Sequence, residues 1–263
     1  MCLLIVLAQT HPGLPLVVAA NRDERFDRAA VAMSVLREAG PRTLGGRDLV
    51  GGGTWLAVNE AGVVAGLTNR PATKDPARRS RGELPIALTG HTLASAAVEA
   101  FASDFRPADY NPAWLLVGDR ETAYAIDMTG GEAPRIRQLS PGAHVLENRP
   151  LEAASSKTDH VRSLLAGTQG LDEEELVSAL QAVLSDHRIP AGLAAAHEAG
   201  IEGVPPEVKA ACVHTELYGT RWSGIITVPA NPARPPGVRY ADGPACQGRY
   251  QDATPLWCSA PGA

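Results

Sequence analysis

The sequence predicts an α+β fold in which antiparallel sheets are covered by helices. Three observations predict it: two apolar hairpins stand near the front of the chain, a block of helical patterns fills its middle, and strand patterns return behind that block. Length alone allows almost two domains at roughly 150 residues each. Neither a repeat period nor a low-complexity linker divides the 263 residues, so one domain is expected. Residues 1–230 form its body, and 231–263 add an edge strand and a Pro/Gly-rich tail to it.

The first hairpin runs from Cys2 to Ala8, turns at His11-Pro12-Gly13 and returns through Leu16 to Ala20. The second pairs Thr54–Val58 with Val63–Thr68 around Asn59-Glu60-Ala61-Gly62. Ser80-Arg81-Gly82-Glu83 has the spacing of a capping box, with Ser80 as N-cap ahead of Leu84–Leu88. Thr92–Phe101 is Ala-rich and free of breakers, which predicts a helix packed closely against a neighbour. Trp114–Val117 and Ala123–Asp127 read as strands joined by Gly118-Asp119-Arg120-Glu121, and His144-Val145-Leu146-Glu147 as another leading to Asn148. Lys157–Leu165 and Leu171–Ser185 predict helices, the second with Asp172 to Glu175 where the helix dipole is positive. Val208–His214 and Gly224–Val228 predict the returning strands.

Twenty-four basic against twenty-nine acidic side chains leave a formal charge of −5. That balance speaks against nucleic acid or an anionic membrane as partner, because affinity there rests on clustered Lys and Arg. The basic knot Arg78-Arg79-Ser80-Arg81 reads as a solvated loop. No apolar window reaches the roughly 18 residues of a membrane span. Leu3–Ala8 is too short for a signal-peptide core and lacks a basic flank, so a cytoplasmic location is expected. Cys2, Cys212, Cys246 and Cys258 form no CxxC pair and the histidines show no metal spacing. Neither a disulfide scaffold, a metal site nor a cofactor is therefore expected, and His214, two residues after Cys212, reads as structural. Gly45-Gly46 and Gly51-Gly52-Gly53 lack the Lys-Ser/Thr of a phosphate loop and read as points of close backbone approach.

Cys2 differs from the other cysteines in directly following Met1. Once Met1 is removed, Cys2 carries a thiol and a free α-amine on one carbon, with ordinary pKa values of about 8.5 and about 8. Such a residue needs no separate histidine, since its own amine activates its thiol. The bland alternative is a small apolar residue opening a buried strand. Asn21-Arg22-Asp23-Glu24 follows the apolar run of the second strand, and in an antiparallel hairpin that end lies beside Cys2. A carboxylate there can hold the α-amine, and Arg22 can support a thiolate. Asn69 and Asn148 both end strands in the form Asn-Arg-Pro, and their amides offer neutral donors to a tetrahedral oxyanion. Each is also a plausible turn former.

Cys2, Asn21-Arg22-Asp23-Glu24, Gly51-Gly52-Gly53-Thr54-Trp55, Asn59-Glu60-Ala61-Gly62, Asn69-Arg70-Pro71, Asn148-Arg149-Pro150 and Tyr218-Gly219-Thr220-Arg221, in this order, resemble the NRDE family, also called the transport and Golgi organisation family. That family in turn resembles the cysteine N-terminal nucleophile hydrolases, among them penicillin V acylase, bile salt hydrolase and acid ceramidase. The resemblance implies a four-layer αββα sandwich of two stacked antiparallel sheets flanked by helices. It also implies that a processed cysteine attacks an amide carbonyl beside an Arg and an Asp, with asparagines at the oxyanion. These roles fall on Cys2, on Arg22 and Asp23, and on Asn69 and Asn148. The hydrolases usually place two residues between that Arg and Asp, so Asn21 and Glu24 stand as alternative equivalents. A later catalytic Arg corresponds either to Arg162 or to Arg221.

Two functions from different classes follow. The first is a cysteine amidohydrolase or acyltransferase that opens a linear or cyclic C–N bond of a small-molecule amide or acyl substrate through a Cys2 acyl-enzyme. The alternative, implied by what is linked to some family members, is a non-catalytic carrier of lipid, acyl-CoA or haem in the same cleft. Loops around Trp55, Lys74–Ser80 and Trp222 are expected to line that cleft. The substrate and the oligomeric state are not legible in the sequence.

Overall fold

In chain order the strands are β1 (Leu3–His11), β2 (Leu14–Arg25), β3 (Ala30–Arg37), β4 (Thr43–Asp48), β5 (Leu56–Asn59) and β6 (Val64–Asn69), followed by the helices α1 (Glu83–Leu88) and α2 (Ala94–Asp104). Then come β7 (Ala113–Gly118), β8 (Ala123–Asp127), β9 (Arg135–Gln138), β10 (Gly142–Leu146), α3 (Ser156–Leu165), α4 (Glu173–Leu184), β11 (Tyr218–Val228), β12 (Gly237–Ala241) and β13 (Gln251–Asp252). The structure, a computed structural model, describes residues 2–71, 74–151, 153, 155–189 and 206–258.

One sheet has six strands in the order β10-β1-β2-β11-β12-β13, and the other seven in the order β3-β4-β5-β6-β7-β8-β9. All strand pairs are antiparallel. Successive side chains on a strand point to opposite faces. The unbroken apolar run of β1 therefore implies a sheet covered on both sides. Leu4, Val6, Leu16 and Val18 meet Leu56, Val58, Val64 and Leu116 between the sheets, where Trp55 and Trp222 also lie. Leu3, Ile5, Leu7, Val17 and Ala19 face the opposite way, onto Val161 and Leu165 of α3 and Leu176, Leu180 and Leu184 of α4. On the outer face of the second sheet, Ala65, Leu67, Leu115 and Val117 pack on Leu84 and Leu88 of α1 and Ala97, Val98 and Phe101 of α2. The result is the αββα sandwich, with each sheet buried on both faces.

Several elements differ from the sequence expectation. β2 does not end before Asn21. Its ladder with β11 runs as far as Arg25↔Tyr218, so Asn21 to Glu24 lie inside the strand with paired backbones. Ser80 does not cap α1, whose N-cap is Gly82 without a side-chain bond. Its hydroxyl instead donates to the Gly52 carbonyl at 3.2 Å and accepts from Gly82 N–H. α2 begins two residues later than expected because Asp119, in the β7–β8 turn, accepts from Ala94 N–H at 2.6 Å. Val208–His214 is not a strand. Pro206–Lys209 forms a 3-10 turn, and the amides behind it bond elsewhere, Cys212 N–H to the Asp186 carbonyl and Val213 N–H to Thr220 Oγ1. The acidic start of α4 is a capping box closed by Asp172 and Glu175. β12 pairs with β11 and β13 lies outside it at the edge of the first sheet, while residues 259–263 of the tail lie outside the described residues. Among the described residues no helix is long and apolar enough to cross a membrane.

Candidate active site

The pairing Leu3↔Asn21 sets Cys2 across from Arg22 at the end of β1, which lies between β10 and β2 in its sheet. On the other side of β2, Asp23 pairs with Thr220 and Arg22 with Trp222, with a bulge that leaves Arg221 unpaired between them. A cleft of about 290 Å³ opens over this junction. Its floor is Cys2, Arg22, Asp23 and Glu24. Its walls are Arg28, Asp48, Gly51-Gly52, Thr54-Trp55, Leu67, Asn69, Lys74, Arg79 to Gly82 and Asn111.

Burial pushes the Cys2 thiol above its ordinary range, and the neighbouring Asp23 charge adds to the rise. The polar Asp23 backbone and the Arg22 guanidinium work the other way. Burial also raises the Asp23 carboxyl. It is opposed by Lys157, whose Nζ lies 3.9 Å from Oδ2, and by Thr220, which donates to Oδ1 at 2.6 Å. Arg22 is 5% exposed, lies 4.5 Å over the Trp55 ring and pairs with Asp48 at 3.2 Å. Trp55 meets Trp222 edge to face at 5.5 Å. Arg28 shares the same Asp48 oxygen at 2.8 Å and reaches Glu24 at 3.5 Å. Although burial alone would raise Asp48, the Arg28 hydrogen bond and the N–H groups of Gly51 and Val50 hold it below the ordinary carboxylate range.

The glycine loop forms the rim for a steric reason. Gly53 has φ +78°, and a Cβ there would stand 2.3 Å from the Gly82 carbonyl carbon. Only bare backbone lets the two loops meet, joined by Thr54 N–H to the Gly82 carbonyl at 2.9 Å. That contact carries Arg81 to the cleft, where burial lowers its pKa and the nearby Cys2 opposes the fall. Asn111 exchanges two 2.8 Å bonds with the Asp75 backbone and so fixes the loop bearing Lys74. Five basic side chains (Arg22, Arg28, Lys74, Arg79, Arg81) against three acidic ones (Asp23, Glu24, Asp48) give the lining an excess of two positive charges.

Of the residues singled out in the sequence, the cleft brings together Cys2, Arg22, Asp23, Glu24 and Asn69. Asn21 faces the helical layer instead: its amide donates to the carbonyls of Leu184 and Ala211 and accepts from Ser223 Oγ. Asn148 stands behind the cleft wall, donating to the Asn69 backbone carbonyl. Arg221 binds the carbonyls of Arg25 and Arg28 outside the cleft, and Arg162 pairs with Asp159 on the surface of α3. Lys157, Thr220, Arg28 and Asp48 belong to the site but were not singled out. The basic knot is a loop with Arg78 and Arg79 exposed, as expected, and in addition Arg79 and the partly buried Arg81 line the cleft. Trp55 and Lys74 are in the walls as expected, whereas Trp222 is buried in the core beneath. The removal of Met1 concerns a residue outside those described.

Residues 1–233 match the family Transport and Golgi organisation 2. A mouse Transport and Golgi organization 2 homolog is 29% identical over 230 residues, which cover 82% of this chain and 83% of the relative. A Bos taurus homolog is 32% identical over 232 residues with the same coverage, and a human homolog 30% over 230. Among solved structures, a Caenorhabditis elegans N-acylethanolamine-hydrolyzing acid amidase ortholog is similar with a TM-score of 0.57 at 14% identity, covering 95% of this chain and 99% of its own. Penicillin V acylase from Agrobacterium tumefaciens is similar with a TM-score of 0.56 at 12% identity, covering 96% and 86%. Likeness at such identities establishes a common fold.

Proposed function

The chain belongs to the Transport and Golgi organisation 2 family and shares its fold with an N-acylethanolamine-hydrolyzing amidase and a penicillin V acylase; on that basis we propose that Cys2 is the nucleophile of an amidohydrolase or acyltransferase. The carrying observation is the setting of Cys2, which lies at the end of β1 on the floor of a cleft together with Arg22 and Asp23. After removal of Met1, the α-amine of Cys2 takes the thiol proton and the thiolate attacks the substrate carbonyl carbon. The oxyanion is held by the Asn69 amide, with Asn148 supporting the Asn69 backbone from behind. The α-ammonium returns its proton to the departing nitrogen as the C–N bond breaks, leaving a thioester on Cys2. Water or an amine, deprotonated by the same α-amine, then attacks the thioester and releases the acid or the new amide.

Asp23 and Lys157 position that amine rather than react. The excess of two positive charges in the lining favours substrates that carry a carboxylate or phosphate next to the amide.

Intact-mass measurement on protein incubated with an activated amide tests the proposal. The expected spectrum shows loss of Met1 and a mass increase of one acyl group on Cys2, absent in Cys2→Ala. Undiminished turnover in Cys2→Ala would overturn the reading. Saturable lipid, acyl-CoA or haem binding that survives Cys2→Ser, with Cys2 never acylated, would replace the enzyme by a carrier.

A further inference from the structure

Away from the cleft, three segments distant in sequence bring two thiols and two imidazoles together. His187 follows α4, Cys212 and His214 precede β11, and Cys246 follows β12. Their donor atoms all lie within 4.8 Å of one another. The Cys212 and Cys246 sulfurs are 3.9 Å apart, and His214 Nε2 is 3.7 Å from the first and 3.3 Å from the second. A tetrahedral zinc ion with Zn–S of about 2.3 Å and Zn–N of about 2.0 Å requires sulfurs about 3.8 Å apart and sulfur–nitrogen separations of about 3.5 Å. His187 Nδ1 faces the Cys212 carbonyl at 3.2 Å, which leaves Nε2 as its ligand atom. A metal-bound histidine is commonly oriented by such a carbonyl.

We propose that His187, Cys212, His214 and Cys246 form a structural zinc site. Two thiolates balance the charge of Zn²⁺, so binding releases the two thiol protons to solvent. Four protein ligands leave no open position for a substrate, which assigns the ion a structural role. Zinc is favoured over magnesium or calcium because sulfur and imidazole donors suit a softer ion. His187 and Cys246 are exposed, so the ion can enter from solvent.

The clip would fasten the segment that organises β2. Ala211, next to Cys212, accepts from Asn21, and Val213 N–H bonds Thr220 Oγ1, which in turn donates to Asp23. His214 and Cys212 therefore act on the cleft as positioning residues, from the opposite side of Asp23.

The test is zinc content by mass spectrometry on chain produced with added zinc sulfate and purified under reduction without chelator. About one zinc per chain is expected. Cys246→Ser, a change at an exposed loop position, and His214→Gln should each lower it at least about fivefold. Cys258→Ser, an exposed cysteine outside the cluster, should retain the zinc. Cobalt(II) added to the apo-protein should give the visible absorption of tetrahedral thiolate-bound cobalt, and chelator should lower the melting temperature. Reduced protein that takes up neither zinc nor cobalt would overturn the proposal. So would full zinc content in Cys246→Ser, or a Cys212–Cys246 disulfide as the form of the metal-free native chain.

Discussion

Thr220 Oγ1 donates a 2.6 Å hydrogen bond to Asp23 Oδ1, joining β11 to the acidic residue that lines the floor of the cleft with Cys2. The same hydroxyl accepts from Val213 N–H, so one side chain links the floor of the cleft to the segment preceding β11. Thr220→Val keeps the shape and removes both bonds inside a fully buried site. A loss of about 2 kcal/mol in urea unfolding is expected, with Thr220→Ser close to the parent. Equal stability of the Val and Ser variants would contradict the link.

Lys157 is 2% exposed and faces an Asp23 carboxylate with no exposure at all. Folding raises the Asp23 pKa, so the buried charge weakens the fold above that pKa. The cost disappears in acid, where the group is protonated in both folded and unfolded chains. Lys157 offsets part of it. Lys157→Met should therefore destabilise by about 3 kcal/mol at neutral pH, with the gap to the parent closing as pH falls. Adding Asp23→Asn should recover most of the loss. Urea unfolding from acid to neutral pH checks the sign, and a gap that widens in acid would refute it.

Alkylation of Cys2 by iodoacetamide reads its thiolate directly. Because burial and the Asp23 charge raise the thiol while Arg22 lowers it, Asp23→Asn should move the pH profile of alkylation down and Arg22→Met should move it up. Identical profiles would show that neither charge reaches the sulfur.

The cationic lining predicts a charge preference among otherwise similar reagents. Iodoacetate should alkylate Cys2 fast relative to iodoacetamide, and Arg81→Met should lower that ratio about threefold at low ionic strength. Salt should diminish the preference in the parent. A ratio insensitive to both would remove the argument for anionic substrates.

Gly53→Ala puts a methyl group into the Gly82 backbone at a positive φ. A melting-temperature drop equivalent to about 2 kcal/mol is expected, because both the contact and the conformation oppose the side chain. A fully stable variant would show that the two loops separate freely.

The layered fold was legible because β1 and β2 are apolar on both faces, a pattern that demands cover on each side. The neighbourhood of Cys2 was legible because hairpin geometry ties Asn21–Glu24 to the chain start. Asn21 and Arg22 are adjacent in sequence yet face opposite sides of β2, and only the register shows that Arg22 looks into the cleft and Asn21 into the helices. Lys157 gave no signal, since a lysine in the first turn of an ordinary helix looks solvated until α3 is docked on its sheet. β3 and β4 escaped notice because their side chains, Gly, Arg, Ser and Thr among them, mix polarity without a clean alternation. His187, Cys212, His214 and Cys246 show no ligand spacing because tertiary structure, not local sequence, assembles them.

The pairings around β1 and β2 also fix an order of assembly. Cys2, with β1, is made well before β10, which borders β1 and whose Leu146 pairs with Leu4. The carboxylate beside it is secured only when Thr220 on β11 arrives. Contacts so distant in sequence form late and slow the folding of the sheet. The thiol is thus made before the strands that house it, and the cleft stays unfinished until β11 has been synthesised.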